Sequence, residues 1–337
     1  MPSNKLTAAL CALLSLGLIT SVSADDNAPF SFALVGDQEY NAEQTAKFPN
    51  LIEDINNDKS IRFVIHDGDI KSGSSRCTDE LYQQRLNEFN SFRRPLIYLF
   101  GDNEWTDCHR AAAGAYDPFE RLATLRRIFT PAGSDRSLGQ QTRRLERQSA
   151  EFPENVRWMQ GGVVFVGLNV PGSNNGLTTG AGYEERAKAE FEARNAANIA
   201  WLREAFQLAR NSQAPGLMVA FQANPWDYIP TSQLTGYQDF LAMLEAETIA
   251  FGKPVVLVHG DSHYFRIDKP LPTAPFDPAA DFQPLLWENA APRLENFTRV
   301  ETFGTVNVHW IKATVDPKSP AVFKFEERIV AKNKVAW

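Results

Sequence analysis

The chain has 337 residues with 34 Lys and Arg against 41 Asp and Glu, which gives a formal net charge of −7. A chain of this length that is 43% hydrophobic and 22% charged can bury a sizeable core without disulfides or structural metals. The acidic balance disfavours nucleic acid and anionic membranes as partners, and three Cys with five His exclude Cys-rich zinc modules.

Residues 1–24 have the features of a secretory signal peptide. One charge, Lys5, precedes an apolar stretch over 6–19, and the small residues before Asp25 are typical of a cleavage site. A membrane anchor is the alternative, but this stretch of about 14 residues is shorter than the roughly 20 that a membrane span needs. We therefore expect a mature chain that starts near Asp25, is secreted or periplasmic, and has no membrane span.

The mature chain would retain two cysteines, Cys77 and Cys108. In an oxidising compartment we expect them to form a disulfide, which would stabilise the fold by about 2–4 kcal/mol. Two unpaired thiols are the alternative.

Four short apolar runs have strand character, and each is followed by a Gly-Asp pair. The runs and pairs are Phe30–Val35 with Gly36-Asp37, Ile61–Ile65 with Gly68-Asp69, Leu96–Phe100 with Gly101-Asp102, and Val255–Val258 with Gly260-Asp261. Polar helical stretches near 43–57, 79–92, 117–129 and 184–210 alternate with strand-like runs, which predicts an α/β fold with covered sheets. Because ligands bind beyond the carboxyl ends of such strands, the four carboxylates should converge there.

Two further runs, 163–170 and 217–221, end in loops rich in Asn, Pro and Gly that should reach the same rim. The polar, Arg-containing stretch 133–151 has no apolar periodicity, which indicates a surface insertion. Strand-like alternation returns late in the chain, and we expect residues 266–337 to complete a second sheet with edge strands. The sequence contains no internal repeat or low-complexity linker, so we predict a single domain over 25–337.

Several carboxylates at strand ends repel one another unless a cation neutralises them, and burial strengthens the repulsion. The sequence therefore predicts divalent metal ions. Two ions about 3.5–4 Å apart would suit in-line displacement at phosphorus. An oxygen-rich ligand set favours Mn, Mg or Ca, although Zn or Fe would also bind. The candidate ligands are Asp37, Glu39, Asp69, Asp102, Asp261 and His263, with Asn224 or Gln222 as an amide ligand.

The order of these motifs resembles that of the calcineurin-like metallophosphoesterases over about residues 30–265. The matching segments are Gly36-Asp37-Gln38-Glu39, Gly68-Asp69, Gly101-Asp102-Asn103-Glu104, Gln222-Ala223-Asn224-Pro225 and Gly260-Asp261-Ser262-His263. The resemblance implies a four-layer α/β/β/α sandwich of two mixed sheets and a dinuclear metal site bridged by Asp69. It also implies hydrolysis of a small phosphomonoester or phosphodiester by a metal-activated hydroxide.

The sequence departs from the family pattern at most of the metal positions. Glu39, Asp261 and one of the amides, Asn224 or Gln222, stand where the family has His, and Asp102 stands where it has Asn. The residues that keep the family types are Asp37, Asp69 and His263. Because each replacement still offers oxygen, the pattern predicts a site adapted to harder cations.

The departure at Asn103 concerns catalysis, because the family has there a His that assists the leaving group, and an amide does not titrate near neutral pH. We expect His109 to assist instead, and Arg76 and Arg110 to bind phosphate oxygens. A catalytically weak metal-binding module is therefore the alternative function. A haloacid-type phosphatase with Asp37 as nucleophile fits less well, because Glu39 gives Asp-x-Glu where Asp-x-Asp is required.

Overall fold

The computed structural model describes residues 28–226, 235–271, 273 and 292–334. The predicted signal peptide over 1–24 lies outside these residues. None of the helices in the described ranges combines the length and the apolar character that crossing a lipid bilayer requires.

Twelve strands and six α-helical segments are described, together with three short 3-10 helices. The strands are β1 (Phe30–Val35), β2 (Ile61–His66), β3 (Leu96–Tyr98), β4 (Glu146–Arg147), β5 (Val156–Gln160), β6 (Val163–Gly167), β7 (Leu217–Ala220), β8 (Val255–His259), β9 (Arg266–Asp268), β10 (Phe297–Glu301), β11 (Trp310–Val315) and β12 (Phe323–Arg328). The helices are α1 (Ala42–Asn57), α2 (Asp79–Phe89), α3 (Pro118–Phe129), the single turn α4 (Gly172–Asn175), α5 (Glu184–Asn211) and α6 (Gln238–Phe251).

The strands form two mixed sheets. The five-stranded sheet has the order β12-β11-β1-β2-β3, in which β1, β2 and β3 are parallel and β11 and β12 are antiparallel to their neighbours. The seven-stranded sheet has the order β4-β5-β6-β7-β8-β10-β9, with β6, β7, β8 and β10 parallel. In each sheet, the loops that contain the predicted site residues follow the carboxyl ends of the parallel strands.

Three hydrophobic clusters lie between the layers and pack them together. The alternation along β1 shows how they form, because Phe30, Phe32 and Leu34 pack between the two sheets while Ala33 and Val35 face helices α1 to α3. Helices α5 and α6 cover the outer face of the seven-stranded sheet through residues such as Phe206 and Phe240. The predicted four-layer α/β/β/α sandwich of two mixed sheets is therefore confirmed.

The C-terminal part of the chain corrects one prediction. Residues after 266 do not complete only the second sheet, because β9 and β10 join the seven-stranded sheet whereas β11 and β12 join the five-stranded one. Strand β11 is also internal, since it lies between β1 and β12. The chain crosses back because the alternating apolar residues of β11, Ile311, Ala313 and Val315, complete the core between the sheets.

Candidate metal centre

The carboxylates of the four Gly-Asp pairs come together where the two sheets meet. Asp37, Asp69 and Asp102 follow β1, β2 and β3, and Asp261 follows β8 of the other sheet. Asp69, Asp102 and Asp261 each offer an oxygen, and these three atoms lie within 4.8 Å of one another. Asp37 joins the group through the backbone, because the N–H of Asp261 donates to both Asp37 carboxylate oxygens at 3.0 Å.

The glycines of these pairs are required by close approach. A Cβ on Gly260 would lie 1.8 Å from Asp37 Oδ2, and a Cβ on Gly101 would lie 2.2 Å from Asp69 Oδ1. Each of these two glycines therefore makes room for the carboxylate of another strand-end loop, which explains why Gly precedes Asp at these strand ends. The Asp37 and Asp69 carboxylates are thus held in contact with the backbone at these two glycines.

The backbone at the site is strained. Eleven non-glycine residues in the described ranges have positive φ, and five of them are predicted ligands: Asp37, Glu39, Asp69, Asp261 and His263. Left-handed backbone is disfavoured for residues with a Cβ and persists where the surrounding structure imposes it, which is frequent at functional sites. The strain is therefore an independent indication that this rim is functional.

The sequence analysis missed Tyr40, the residue after the first motif. Its hydroxyl is 2.6 Å from Asp69 Oδ2, 3.3 Å from Asp37 Oδ1 and 3.3 Å from His263 Nε2. The side-chain amide of Asn103 donates to the same hydroxyl oxygen at 3.0 Å. Its place as a polar aromatic residue directly after a predicted metal-binding motif was the only available signal for this position.

Of the two amides that the sequence left open, Gln222 borders the cluster. Its Nε2 donates to Asp102 Oδ1 at 3.2 Å and to Asp261 Oδ1 at 3.1 Å, while its Oε1 accepts from the N–H of Gly172 at 2.6 Å. Asn224 contributes its backbone N–H, 2.9 Å from Asp261 Oδ2. The Asn224 side chain is directed elsewhere, because its Nδ2 donates to Ser262 Oγ at 2.6 Å.

Ser173, on the left-handed turn α4, is a second residue that the sequence analysis missed. Its hydroxyl lies 2.9 Å from Asp102 Oδ2 and 2.8 Å from Asp107 Oδ1. The polar loop after β6 was expected to reach this rim, and Ser173 is the side chain by which it does so.

Glu39 is not brought to the cluster. Its carboxylate accepts from Arg85 Nη1 at 2.6 Å, and both side chains are buried. Burial raises the pKa of Glu39, and the charge of Arg85 opposes that rise. The expected metal ligand is thus part of an ion pair between the loop after β1 and helix α2.

Asn103 is held rigidly beside Asp69. Its backbone N–H donates to Asp69 Oδ1 at 3.1 Å and its Nδ2 donates to Asp69 Oδ2 at 2.6 Å. Its backbone carbonyl accepts from Nζ of the buried Lys71 at 2.5 Å.

The predicted disulfide between Cys77 and Cys108 is confirmed, and it is buried where the loops after β2 and β3 meet.

The remaining predicted residues lie farther out on the rim. Arg110 is about half exposed and pairs with Asp107 at 2.7 Å. Its Nη1 and Asn103 Oδ1 would each lie 2.8 Å from a Cβ on Gly73, so Arg110 flanks Asn103. His109 Nδ1 is 2.7 Å from the carbonyl of Thr106, and its ring packs on Gly180. Arg76 is exposed near Gly114.

Burial and mutual repulsion act together on the carboxylates. Burial, and then the charges of Asp102 and Glu104, raise the pKa of Asp69 well above its usual value. Burial, and then Asp67 and Asp261, do the same to the pKa of Asp37. A divalent cation would relieve this repulsion, and three carboxylates within reach of one point form a donor set that fits a hard cation.

Known proteins share this fold without close sequence similarity. No family model matches the chain, and no curated protein matches it. GAP50, described as the anchor in the inner membrane complex of Plasmodium, is similar with a TM-score of 0.50 and 8% identity, over 92% of this chain and 87% of that one.

Purple acid phosphatase PPD1 from yellow lupin (Lupinus luteus) seeds is similar with a TM-score of 0.50 and 12% identity, over 92% of this chain. The match spans 53% of the lupin chain, about half of its length. At these identities the likeness shows the fold alone, and this protein has the mixed α/β architecture that both structures share.

Proposed function

We propose that this protein is a divalent-metal-dependent hydrolase of small phosphoric esters. The observation that carries the proposal is the convergence of Asp69, Asp102 and Asp261, drawn from both sheets, at one rim of a fold that includes a phosphatase. Fold likeness alone carries no activity. The carboxylate geometry and the strained backbone supply the argument from the site itself.

Three carboxylates would hold the ion, and their neighbours would orient them. The Gln222 amide bridges Asp102 and Asp261, and the backbone N–H of Asp261 is fixed by Asp37. When bound, a divalent ion would activate water and withdraw charge from the phosphoryl group. The oxygen ligands favour Mn²⁺, Mg²⁺ or Ca²⁺.

The phosphate would be bound by the rim arginines. Arg110 is half exposed beside Asn103, so its guanidinium can turn from Asp107 towards a phosphate without crossing the core. Arg76 is a second candidate because it is exposed on the adjoining loop. We include His109 as a proton donor from farther out on the rim.

Asn103 limits the choice of substrate. Its amide is committed to donating to Asp69 and Tyr40, and it cannot supply a proton to a departing alkoxide. Esters whose leaving group needs no proton, such as aryl phosphates, should therefore be hydrolysed faster than alkyl phosphates.

A metal-binding module with little catalysis is the second candidate. The amide at Asn103 favours this candidate. A site without a proton donor at that position still binds a cation, but it does not protonate the leaving group. In either case the chain from residue 25 onward would act outside the cytoplasm. The disulfide supports this location, because disulfides persist in oxidising compartments.

The test measures bound metal and hydrolysis on the same samples. We expect the purified protein to bind Mn²⁺ and to hydrolyse an aryl phosphate or an aryl phosphodiester. The Asp261→Asn variant should lose at least tenfold in metal affinity and in hydrolysis. The same change at the exposed Asp239 on α6 is the matched control and should alter neither. Metal binding without turnover would favour the binding module, and no metal binding with Mn²⁺, Mg²⁺, Ca²⁺ or Zn²⁺ would refute both functions.

A further inference from the structure

The buried Arg194 of helix α5 contacts the turn α4, which reaches the carboxylate cluster. Its side chain is fully buried on the outer side of the seven-stranded sheet, whereas Asp102 follows β3 of the other sheet. We propose that Arg194 is a positioning residue for the metal centre and that it acts on Asp102 through Ser173. The inference rests on the proposed metal site.

The turn has a backbone conformation that its own residues disfavour. Ser173, Asn174 and Asn175 have φ values of 52°, 54° and 56°, so three consecutive residues with a Cβ are left-handed. Left-handed backbone costs free energy in such residues, and it normally occurs at single positions rather than in runs. Contacts from outside the turn must therefore stabilise this conformation.

Arg194 supplies such contacts before the turn and at its end. Its Nη1 donates to the carbonyl of Asn169 at 3.1 Å and to Asn175 Oδ1 at 2.6 Å, and its Nη2 donates to the carbonyl of Asn175 at 2.9 Å. Glu190, one helical turn earlier, accepts from Nε at 2.7 Å and from Nη2 at 2.9 Å, which fixes the direction of the guanidinium. The guanidinium carbon also lies 5.4 Å from the centroid of the Trp105 ring, in the loop after β3. A lysine has no planar fork and cannot make these contacts together.

The turn orients the Asp102 carboxylate from two sides. Ser173 Oγ lies 2.9 Å from Asp102 Oδ2. The N–H of Gly172 donates to Gln222 Oε1 at 2.6 Å, and this contact directs the amide Nε2 of Gln222 towards Asp102 Oδ1, 3.2 Å away. A Cβ on Gly172 would lie 2.7 Å from Asp102 Oδ2, so the backbone of the turn itself approaches the carboxylate. Removing a group that orients a metal ligand typically weakens metal binding about 10- to 100-fold.

A double-mutant cycle on Mn²⁺ affinity, measured by titration calorimetry on folded protein, tests the path from Arg194 to Ser173. We expect Ser173→Ala and Arg194→Lys each to weaken Mn²⁺ binding about 10-fold or more. Once the turn has lost its anchor, the Ser173 hydroxyl no longer orients Asp102. The double variant should therefore bind Mn²⁺ no more weakly than Arg194→Lys alone. Arg203→Lys, at an exposed position of the same helix, is the matched control and should leave the affinity unchanged.

Each outcome decides a separate point. Two effects that multiply in the double variant would show that the residues act independently, which would overturn the inference and leave the proposed function standing. Wild-type affinity in Ser173→Ala or in a folded Arg194→Lys would overturn it as well. No binding of Mn²⁺, Mg²⁺, Ca²⁺ or Zn²⁺ by the wild-type protein would instead refute the proposed function. Ser173→Ala removes one hydroxyl from a half-buried side chain, so the inference stays testable even if Arg194→Lys does not fold.

Discussion

Replacing Gln222 by Glu should make the stability of this protein strongly dependent on metal. Gln222 is fully buried, and its amide donates to one oxygen each of Asp102 and Asp261. A glutamate has the same shape, but when ionised it would put a third carboxylate against two others. Without metal the variant must therefore either bear this repulsion or keep the new side chain protonated.

The cost of keeping the new side chain protonated sets the magnitude of the destabilisation. Holding a carboxyl group of ordinary pKa protonated at pH 7 costs about 3.7 kcal/mol. The protonated acid donates one hydrogen where the amide donated two, and a hydrogen bond to a charged group contributes about 1.5–3 kcal/mol. We therefore expect Gln222→Glu to lose about 5–7 kcal/mol at pH 7, which corresponds to about 7–10 °C in Tm for a chain of this length.

The direction of the pH dependence follows from the raised pKa that the new carboxyl group would have in the folded state. A group whose pKa is higher in the folded state stabilises below its unfolded pKa and destabilises progressively as pH rises. The deficit of Gln222→Glu should thus shrink by about 1.4 kcal/mol for each pH unit between pH 7 and 5.

The assay is thermal unfolding of the wild type and the variant, with a chelator and with saturating Mn²⁺. Bound metal should remove most of the deficit, because the ionised Glu becomes an additional oxygen ligand and binding to the folded state adds stability. Gln83→Glu, on the exposed face of α2, is the control and should shift neither curve by more than about 0.5 kcal/mol. A deficit that is equal with and without metal would refute the assignment of a cation to this cluster.

Three further outcomes follow from single contacts. Gly101→Ala should cost about 1–3 kcal/mol and weaken Mn²⁺ binding at least tenfold, measured by calorimetry, because its Cβ would displace Asp69. Although burial opposes it, the hydrogen bond from Lys312 helps lower the pKa of Asp58 to about 2. Asp58→Asn should therefore lose about 2 kcal/mol in urea unfolding at pH 7, and the difference should vanish as pH falls from about 4 to 2. Cys108→Ala opens a loop with a sequence separation of 31 and should cost about 3–4 kcal/mol in the same assay under oxidising conditions.

The sequence predicted the strands at the site well because their signal is local. Continuous apolar runs ending in Gly-Asp fixed the places of β1, β2, β3 and β8, and the order of the motifs indicated which fold they build. Helix α6 was not predicted, although Phe240, Leu244 and Phe251 recur at helical spacing on a buried face. Strand β11 was assigned to the wrong sheet, because nothing local in an alternating strand specifies its partner.

The side chains at the site were harder to predict, since their directions depend on distant partners. Glu39 has the position of a ligand, but Arg85, 46 residues later, draws it away. The choice between Gln222 and Asn224 depends on the turn at Gly172, whose backbone N–H donates to the Gln222 amide oxygen. The position of Tyr40 depends on the N-cap of helix α1, which a comparison of motifs does not include.

The carboxylates decide which cation the site would favour. Asp261 stands where the family that the sequence resembles has an imidazole, and it adds negative charge next to Asp69 and Asp102. Glu39 stands where that family has another imidazole, but it pairs with Arg85 in the interior. Since imidazole is the ligand that gives Zn²⁺ its advantage over Mg²⁺ and Mn²⁺, a donor set of three carboxylates favours a hard ion.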